Sequence, residues 1–221
     1  MTGLGYYSQQ FVVSGYFSTM NGIYAEYAPI TSIIKQLQCQ REAPYFSPDS
    51  VAIDLGCGPG NSLIHLVAAL KVRNIIAIDG SQPMLDFISE HIVTFLPEAT
   101  IQTMRADLQT EKIAVESSSI AVATCASVSY YLKSVENVIS ETARMLIPGG
   151  YFGFNVELHE APVGTLHSIE DNLDCYVHSK HAVLQMFADL GLTPILTGSL
   201  DFSPIENIPT KTYNFILRKK S

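Results

Sequence analysis

Three glycines and three acids hold the chemistry most directly readable in this chain. Gly56, Gly58 and Gly60 alternate in Gly56-Cys57-Gly58-Pro59-Gly60-Asn61, directly after the apolar run Val51-Ala52-Ile53-Asp54-Leu55. A loop of this kind lets a ligand lie against bare backbone at the carboxyl end of a strand and the start of a helix. Phosphate chemistry does not fit it. A P-loop needs Lys and then Ser or Thr after its glycines, where this chain has Asn61-Ser62. The dinucleotide pattern needs its third glycine at position 61, one residue beyond Gly60. Asp54, two residues before Gly56, repels a pyrophosphate and favours a ligand that carries positive charge. A second acid, Asp79, stands 19 residues past Gly60 at the end of Asn74-Ile75-Ile76-Ala77-Ile78-Asp79. That is where the ribose hydroxyls of an adenosine-type cofactor would find a carboxylate.

The elements that must position these groups follow from periodicity. Leu63, Leu66, Val67 and Leu70 recur at i, i+3, i+4 and i+7 after the glycines, so a helix capped by Asn61 or Ser62 should face a sheet. Gly80-Ser81-Gln82-Pro83-Met84 reads as a second helix start, with a hydroxyl before it and proline just inside. Residues 100–105 predict a third strand that closes at Ala106-Asp107-Leu108, and residues 119–126 a buried fourth. A helix over 134–146 should end at Pro148-Gly149-Gly150, before a fifth strand over 151–156. A last helix over 179–191 and strands over 192–200 and 211–218 complete the pattern.

Asp54-Leu55-Gly56-Cys57-Gly58-Pro59-Gly60 resembles motif I of the class I S-adenosylmethionine-dependent methyltransferases residue for residue. Asp79-Gly80-Ser81-Gln82-Pro83-Met84-Leu85 resembles the segment that follows it, and Leu146-Ile147-Pro148-Gly149-Gly150 resembles the family's Leu-x-Pro-Gly-Gly turn. The resemblance covers residues 51 to about 219. It implies a Rossmann-like, doubly wound α/β fold with a seven-stranded sheet in the order 3-2-1-4-5-7-6, strand seven antiparallel. It also implies S-adenosylmethionine as cofactor, with the methionine part along Gly56 and Gly58, Met84 packed on the adenine, and Asp107 with the backbone of Leu108 at the adenine edge. The end of the fourth strand, Cys125 to Tyr131, is where transferred methyl and acceptor should meet, which makes Cys125 a cofactor contact and Tyr130 a catalytic candidate. His159, Glu157 and His178 are the other candidates for proton transfer.

The acceptor is less specified. Neither the Asn-Pro-Pro-Tyr tetrapeptide of amino-directed nucleic-acid methyltransferases nor the Pro-Cys nucleophile of cytosine-carbon enzymes occurs after the fourth strand, and the acidic pair of aminopropyl transferases is missing too. The nearest flavour is the small-molecule branch of ubiquinone-biosynthesis type. The expectation is methyl transfer to a small-molecule oxygen, nitrogen or sulfur nucleophile. The alternative is a non-catalytic S-adenosylmethionine-binding protein that acts through a protein partner.

Composition agrees with one globular domain. A net charge of −8 leaves few bases for a phosphate backbone, so no nucleic-acid partner is expected. Residues 2–25 carry no charge but lack a basic leader and are interrupted by Gly, Ser, Gln and Asn; the chain is read as cytoplasmic, with neither secretion signal nor membrane span. Cys39, Cys57, Cys125 and Cys175 form no C-x-x-C pair and read as reduced thiols. His178 and His181 stand at i, i+3 without a third ligand, so they read as solvated residues at a helix start and no metal is assigned. Residues 1–50 form an aromatic cap ahead of the 51–221 domain, with a helix through about 29–40 and with Tyr6, Tyr7, Tyr24 and Tyr27 as the lining of a lid. A mean hydropathy of +0.20 leaves room for an interface, and a homodimer is one expected assembly.

Overall fold

The short apolar runs on either side of the glycine loop are buried on both faces, as parallel strands with helices above and below require. A computed structural model describes residues 46–221 apart from 171–172, 203–204 and 206–207. The expected cap helix and its tyrosines lie outside the described residues. Strands β1 (Val51–Leu55), β2 (Asn74–Asp79), β3 (Thr100–Arg105), β4 (Ile120–Cys125) and β5 (Leu146–His159) lie in the parallel order β3-β2-β1-β4-β5. Ile53 pairs with Ile76 on one side and Ala123 on the other, which centres β1 in the sheet. Beyond β5 comes β9 (Thr210–Lys219), antiparallel from Tyr151↔Arg218 to His159↔Thr210, and then β8 (Leu192–Phe202), antiparallel to β9. With β8 as strand six and β9 as strand seven, this is the expected order 3-2-1-4-5-7-6 with its reversed seventh strand.

Alternate residues divide the core between two faces. Helix α1 opens over Asn61–His65 and continues with wider π spacing through Leu66–Leu70. Its stripe Leu63, Leu66, Val67 and Leu70 is buried on Ala52, Ile75 and Val122. Helix α2, over Gln82–Phe87, Ile88–Ile92 and Val93–Phe95, adds Leu85, Ile88 and Ile92 to the same layer. On the opposite face Val138 and Ile139 of α3 (Glu136–Met145) and Val183 and Phe187 of α4 (Lys180–Asp189) cover Ile53, Phe152, Phe154 and Leu217.

Two local expectations are corrected. The N-cap of α1 is Gly60, in the left-handed region, and not Asn61 or Ser62; the Ser62 hydroxyl is drawn away to the Asp54 carboxylate. An additional hairpin, β6 (Leu166–Glu170) with β7 (Leu173–Ser179), stands between β5 and α4. β5 outruns β4, whose last pair is Cys125↔Phe154, and β7 takes the vacated edge through Leu158↔His178 and His159↔Ser179.

Candidate active site

The carboxyl ends of β1, β2 and β4 converge on a cavity of about 370 Å³, near the lower end of the ~300–1,000 Å³ range for ligand sites. Its floor is the glycine loop. The N–H groups of Gly56 and Cys57 both donate to the Ile78 carbonyl at 2.8 and 2.9 Å, which pins the loop to the end of β2. Gly58 N–H donates to Asp79 Oδ2 at 2.9 Å, and Ser81 N–H donates to Asp79 Oδ1 at 2.8 Å. These bonds hold the Asp79 carboxylate against the cavity beside Gly56, Gly58 and Met84. Burial pushes the Asp79 carboxyl up from its ordinary range, and the three backbone N–H groups of Ser81, Gly58 and Gly80 pull it partly back.

Asp107 and Leu108 line the far wall. Asp107 also closes a turn, accepting from Gln109 N–H at 2.9 Å and from the Thr110 hydroxyl at 2.8 Å. Four groups that the notion of a cationic ligand and the family pattern bring to the cofactor, Gly56, Gly58, Asp79 and Met84, are thus together with Asp107 and Leu108. Three others stand elsewhere. Asp54 is 2% exposed behind the loop, not at its mouth, and ties β1 to β4 by accepting from the Thr124 hydroxyl at 2.6 Å. Cys125 is sealed in the core at the end of β4. Gly60 seats α1 on α2, since a Cβ there would stand 3.0 Å from both Ile88 and Ile92.

The turn after β4 closes the cavity. Ser127 and Val128 line it, and Ser127 holds a left-handed φ of 58° with its N–H donated to Asn155 Oδ1 at 2.7 Å. A non-glycine residue in that region costs roughly 1–3 kcal/mol and collects at functional sites. Tyr130 lies in the 3₁₀ turn Ser129–Tyr131, its ring 4.2 Å from that of Tyr131, which itself lines the cavity. Asp174 and Tyr176 of β7 complete the outer wall. Sequence reading missed these two because it missed the hairpin, although Leu173 to His178 alternates directly after Asp171-Asn172, two residues of the turn-forming kind.

His178 is not solvated, as the helix-start reading expected; it is buried in β7. Its Nε2–H donates to the Ser129 carbonyl at 3.1 Å, and burial holds the imidazole below its usual pKa, hence neutral near pH 7. Ser129 donates its hydroxyl to Glu157 Oε2 at 2.6 Å, and Glu157, buried, has its carboxyl pushed up by desolvation. His159, 1% exposed, donates Nε2–H to the Gly164 carbonyl at 2.9 Å. Cys57, Cys125 and Cys175 are buried free thiols, and among the described residues no cluster of three or more His, Cys, Asp or Glu is placed to hold a metal. Nor, among those residues, is any helix long and apolar enough to cross a membrane.

Comparison with known proteins meets this geometry. Residues 53–154, the strands and loops that build the cavity floor, match the model of a methyltransferase-domain family. The chain is 26% identical over 117 residues to a carboxy-S-adenosyl-L-methionine synthase of Shewanella pealeana, covering 52% of this chain and 47% of that protein. It is 28% identical over 123 residues to the enzyme of the same name from Hydrogenovibrio crunogenus, covering 53% and 46%. The chain therefore spans about half the length of the curated relatives it matches. Among solved structures, geranyl diphosphate C-methyltransferase from Streptomyces coelicolor aligns with a TM-score of 0.66 at 14% identity, over 88% of this chain and 80% of that one. That likeness concerns the fold alone. With the glycine loop, the acid at the end of β2 and the reversed last strand in place, residues 53–154 are similar to a methyltransferase domain, and the fold is that of S-adenosylmethionine-dependent methyltransferase structures.

Proposed function

We propose that this protein binds S-adenosylmethionine in the cavity over the glycine loop and transfers its methyl group to an oxygen, nitrogen or sulfur atom of a small molecule in the cytoplasm. The observation that carries this reading is Asp79, which lines the cavity with its carboxylate fixed by Gly58 and Ser81 N–H. Both oxygens keep lone pairs for a ribose diol. Gly56 and Gly58 offer open backbone, Met84 and Leu108 offer apolar contact, and Asp107 offers an acceptor to an exocyclic amine. The cofactor supplies a methyl activated on a sulfonium, so the protein's task is alignment, worth ~7–11 kcal/mol when the reacting atoms are held in line. The printed name of the curated relatives, carboxy-S-adenosyl-L-methionine synthase, is that of an enzyme of small-molecule chemistry, which supports the small-molecule part of the reading.

Tyr130, His159 and His178 are the side chains proposed to orient the nucleophile or take its proton. His178 steadies the turn that carries Tyr130 and is neutral, as a base must be. The aromatic segment 1–50 is proposed as the lid. Two measurements test the reading. Asp79→Ala should weaken S-adenosylmethionine binding roughly ten- to 150-fold by calorimetric titration, because a hydrogen bond to a charged group contributes ~1.5–3 kcal/mol; unchanged affinity would remove the cofactor assignment. Incubation with methyl-labelled cofactor and an acceptor library should release S-adenosylhomocysteine in a single turnover. Tight binding with no release across the library would favour the non-catalytic protein acting through a partner.

A further inference from the structure

The doubly wound sheet is complete in the order β3-β2-β1-β4-β5-β9-β8 without the hairpin of β6 and β7. What the hairpin adds is a wall over the cavity. Cys175 and Val177 of β7 are buried, and Asp174, Tyr176 and His178 share the other side of the strand. His178 fastens that side to the turn after β4 by its bond to the Ser129 carbonyl at 3.1 Å, and Tyr176 and Asp174, the next two positions along it, line the cavity together with Tyr131.

None of the groups that the cofactor reading uses belongs to this wall. Asp174 Oδ1 accepts from His167 Nε2–H at 3.1 Å, and the His167 ring stacks on Tyr176 with centroids 5.2 Å apart and planes at 26°. His167, on β6, thus holds both side chains in place. The second oxygen, Asp174 Oδ2, has no hydrogen-bond partner among the described residues, and the side chain is 39% exposed, open to a ligand in the cavity. Charge points the same way. The lining holds three carboxylates, Asp79, Asp107 and Asp174, against one base, Lys133, whose backbone N–H is bound to Gln109 Oε1 at 2.8 Å on the Asp107 side. S-adenosylmethionine, with a sulfonium, an ammonium and a carboxylate, brings a single net positive charge and leaves one carboxylate uncompensated, so the filled cavity still favours a cation.

We propose that the hairpin wall is the acceptor subsite and that the acceptor is a cationic amine, its ammonium on Asp174 and its apolar or aromatic body against Tyr131 and Tyr176. A carboxylate accepts the N–H donors of an ammonium, and the faces of tyrosine rings attract a cation. An acceptor with a terminal carboxylate meets Asp174 as a like charge, and a neutral one of the same shape makes neither contact. An ammonium so held has no lone pair, so the atom that is methylated is a different oxygen, nitrogen or sulfur of the same molecule. This assignment rests on the methyl-transfer reading and adds to it the charge of the acceptor.

The test is saturation-transfer NMR of the full-length protein saturated with S-adenosylhomocysteine, titrated separately with phenethylamine, phenylethanol and hydrocinnamate, which share a ring and differ in charge. Phenethylamine should bind at least roughly fivefold more tightly than phenylethanol, and hydrocinnamate more weakly than either. Asp174→Asn should bring phenethylamine down to the level of phenylethanol, while calorimetric titration with S-adenosylhomocysteine shows the variant folded and its cofactor site intact. No binding by any probe, equal binding of all three, or an Asp174→Asn variant that keeps the preference for phenethylamine would overturn the assignment. So would an equal loss of S-adenosylhomocysteine affinity in that variant, since the carboxylate would then hold the cofactor's own ammonium. Failure of the parent chain to bind S-adenosylhomocysteine at all would instead sink the methyl-transfer reading.

Discussion

Gly56→Ala is expected to destabilise the protein by about 2–5 kcal/mol and to disrupt the cavity floor. Two independent effects add. Gly56 has a φ of 72°, and a side chain in the left-handed region costs roughly 1–2 kcal/mol. Its new Cβ would also stand only 2.3 Å from Cγ2 of Val128, so the turn after β4 must move or Val128 must leave its rotamer, an overpacking worth roughly 1–3 kcal/mol. The second part is separable. Gly56→Ala combined with Val128→Ala removes the collision and keeps the φ cost, so denaturant unfolding should show the double variant recovering part of the loss beyond what Val128→Ala alone predicts. A single variant as stable as the parent would mean that the loop and the turn do not meet as described.

The second large effect is a pH dependence centred on Asp54. Burial raises its carboxyl from 3.8 to about 6, against the opposing pull of the Ser62 and Thr124 hydroxyls and with a further push from the Asp79 charge. Between those values the folded protein holds a proton that the unfolded chain releases. Stability from this group is therefore complete below pH 3.8 and is lost as pH rises through about 6. Two pH units at ~1.4 kcal/mol each amount to about 3 kcal/mol. Asp79 and Glu157, raised by burial, act in the same direction, whereas Glu141, lowered by its Arg144 partner, loses its contribution in acid. Asp54→Asn keeps the shape and removes the charge. It should be more stable than the parent at pH 7 and lose that advantage near pH 4, as read by urea unfolding at both values. Equal stabilities at pH 7 would show that Asp54 is solvated or paired well enough to ionise freely.

The cofactor half of the site was legible because it is local. Gly56, Gly58 and Asp79 belong to one strand–loop–helix–strand unit, in which short connections leave the chain little choice about what meets at the strand ends. The positions of β2 and β3 were read to the residue, β2 as a short apolar run between polar turns and β3 from its weak alternation ahead of Ala106-Asp107-Leu108. Asp54 shows the limit of that reading. Its place two residues before Gly56 suggested a charge facing the ligand, but strand alternation and the Thr124 and Ser62 hydroxyls turn it behind the loop.

The part beyond β4, proposed to take the acceptor, depended on contacts between distant parts of the chain. Glu157 and Ser129 lie 28 residues apart, and His178 and Ser129 lie 49 apart. Nothing in the local pattern of either partner reports the other, and a histidine before a helix looks solvated until a strand edge buries it. That edge exists because β5 runs past the end of β4 and leaves hydrogen-bonding groups that β7 satisfies through Leu158↔His178. By itself, then, the order of residues determined the doubly wound sheet, the glycine loop and the acid at the end of β2, because each is specified by short-range pattern and obligatory backbone pairing. Which buried side chains gather beyond β4 was decided only when the tertiary fold removed water from groups whose partners lie far away in sequence.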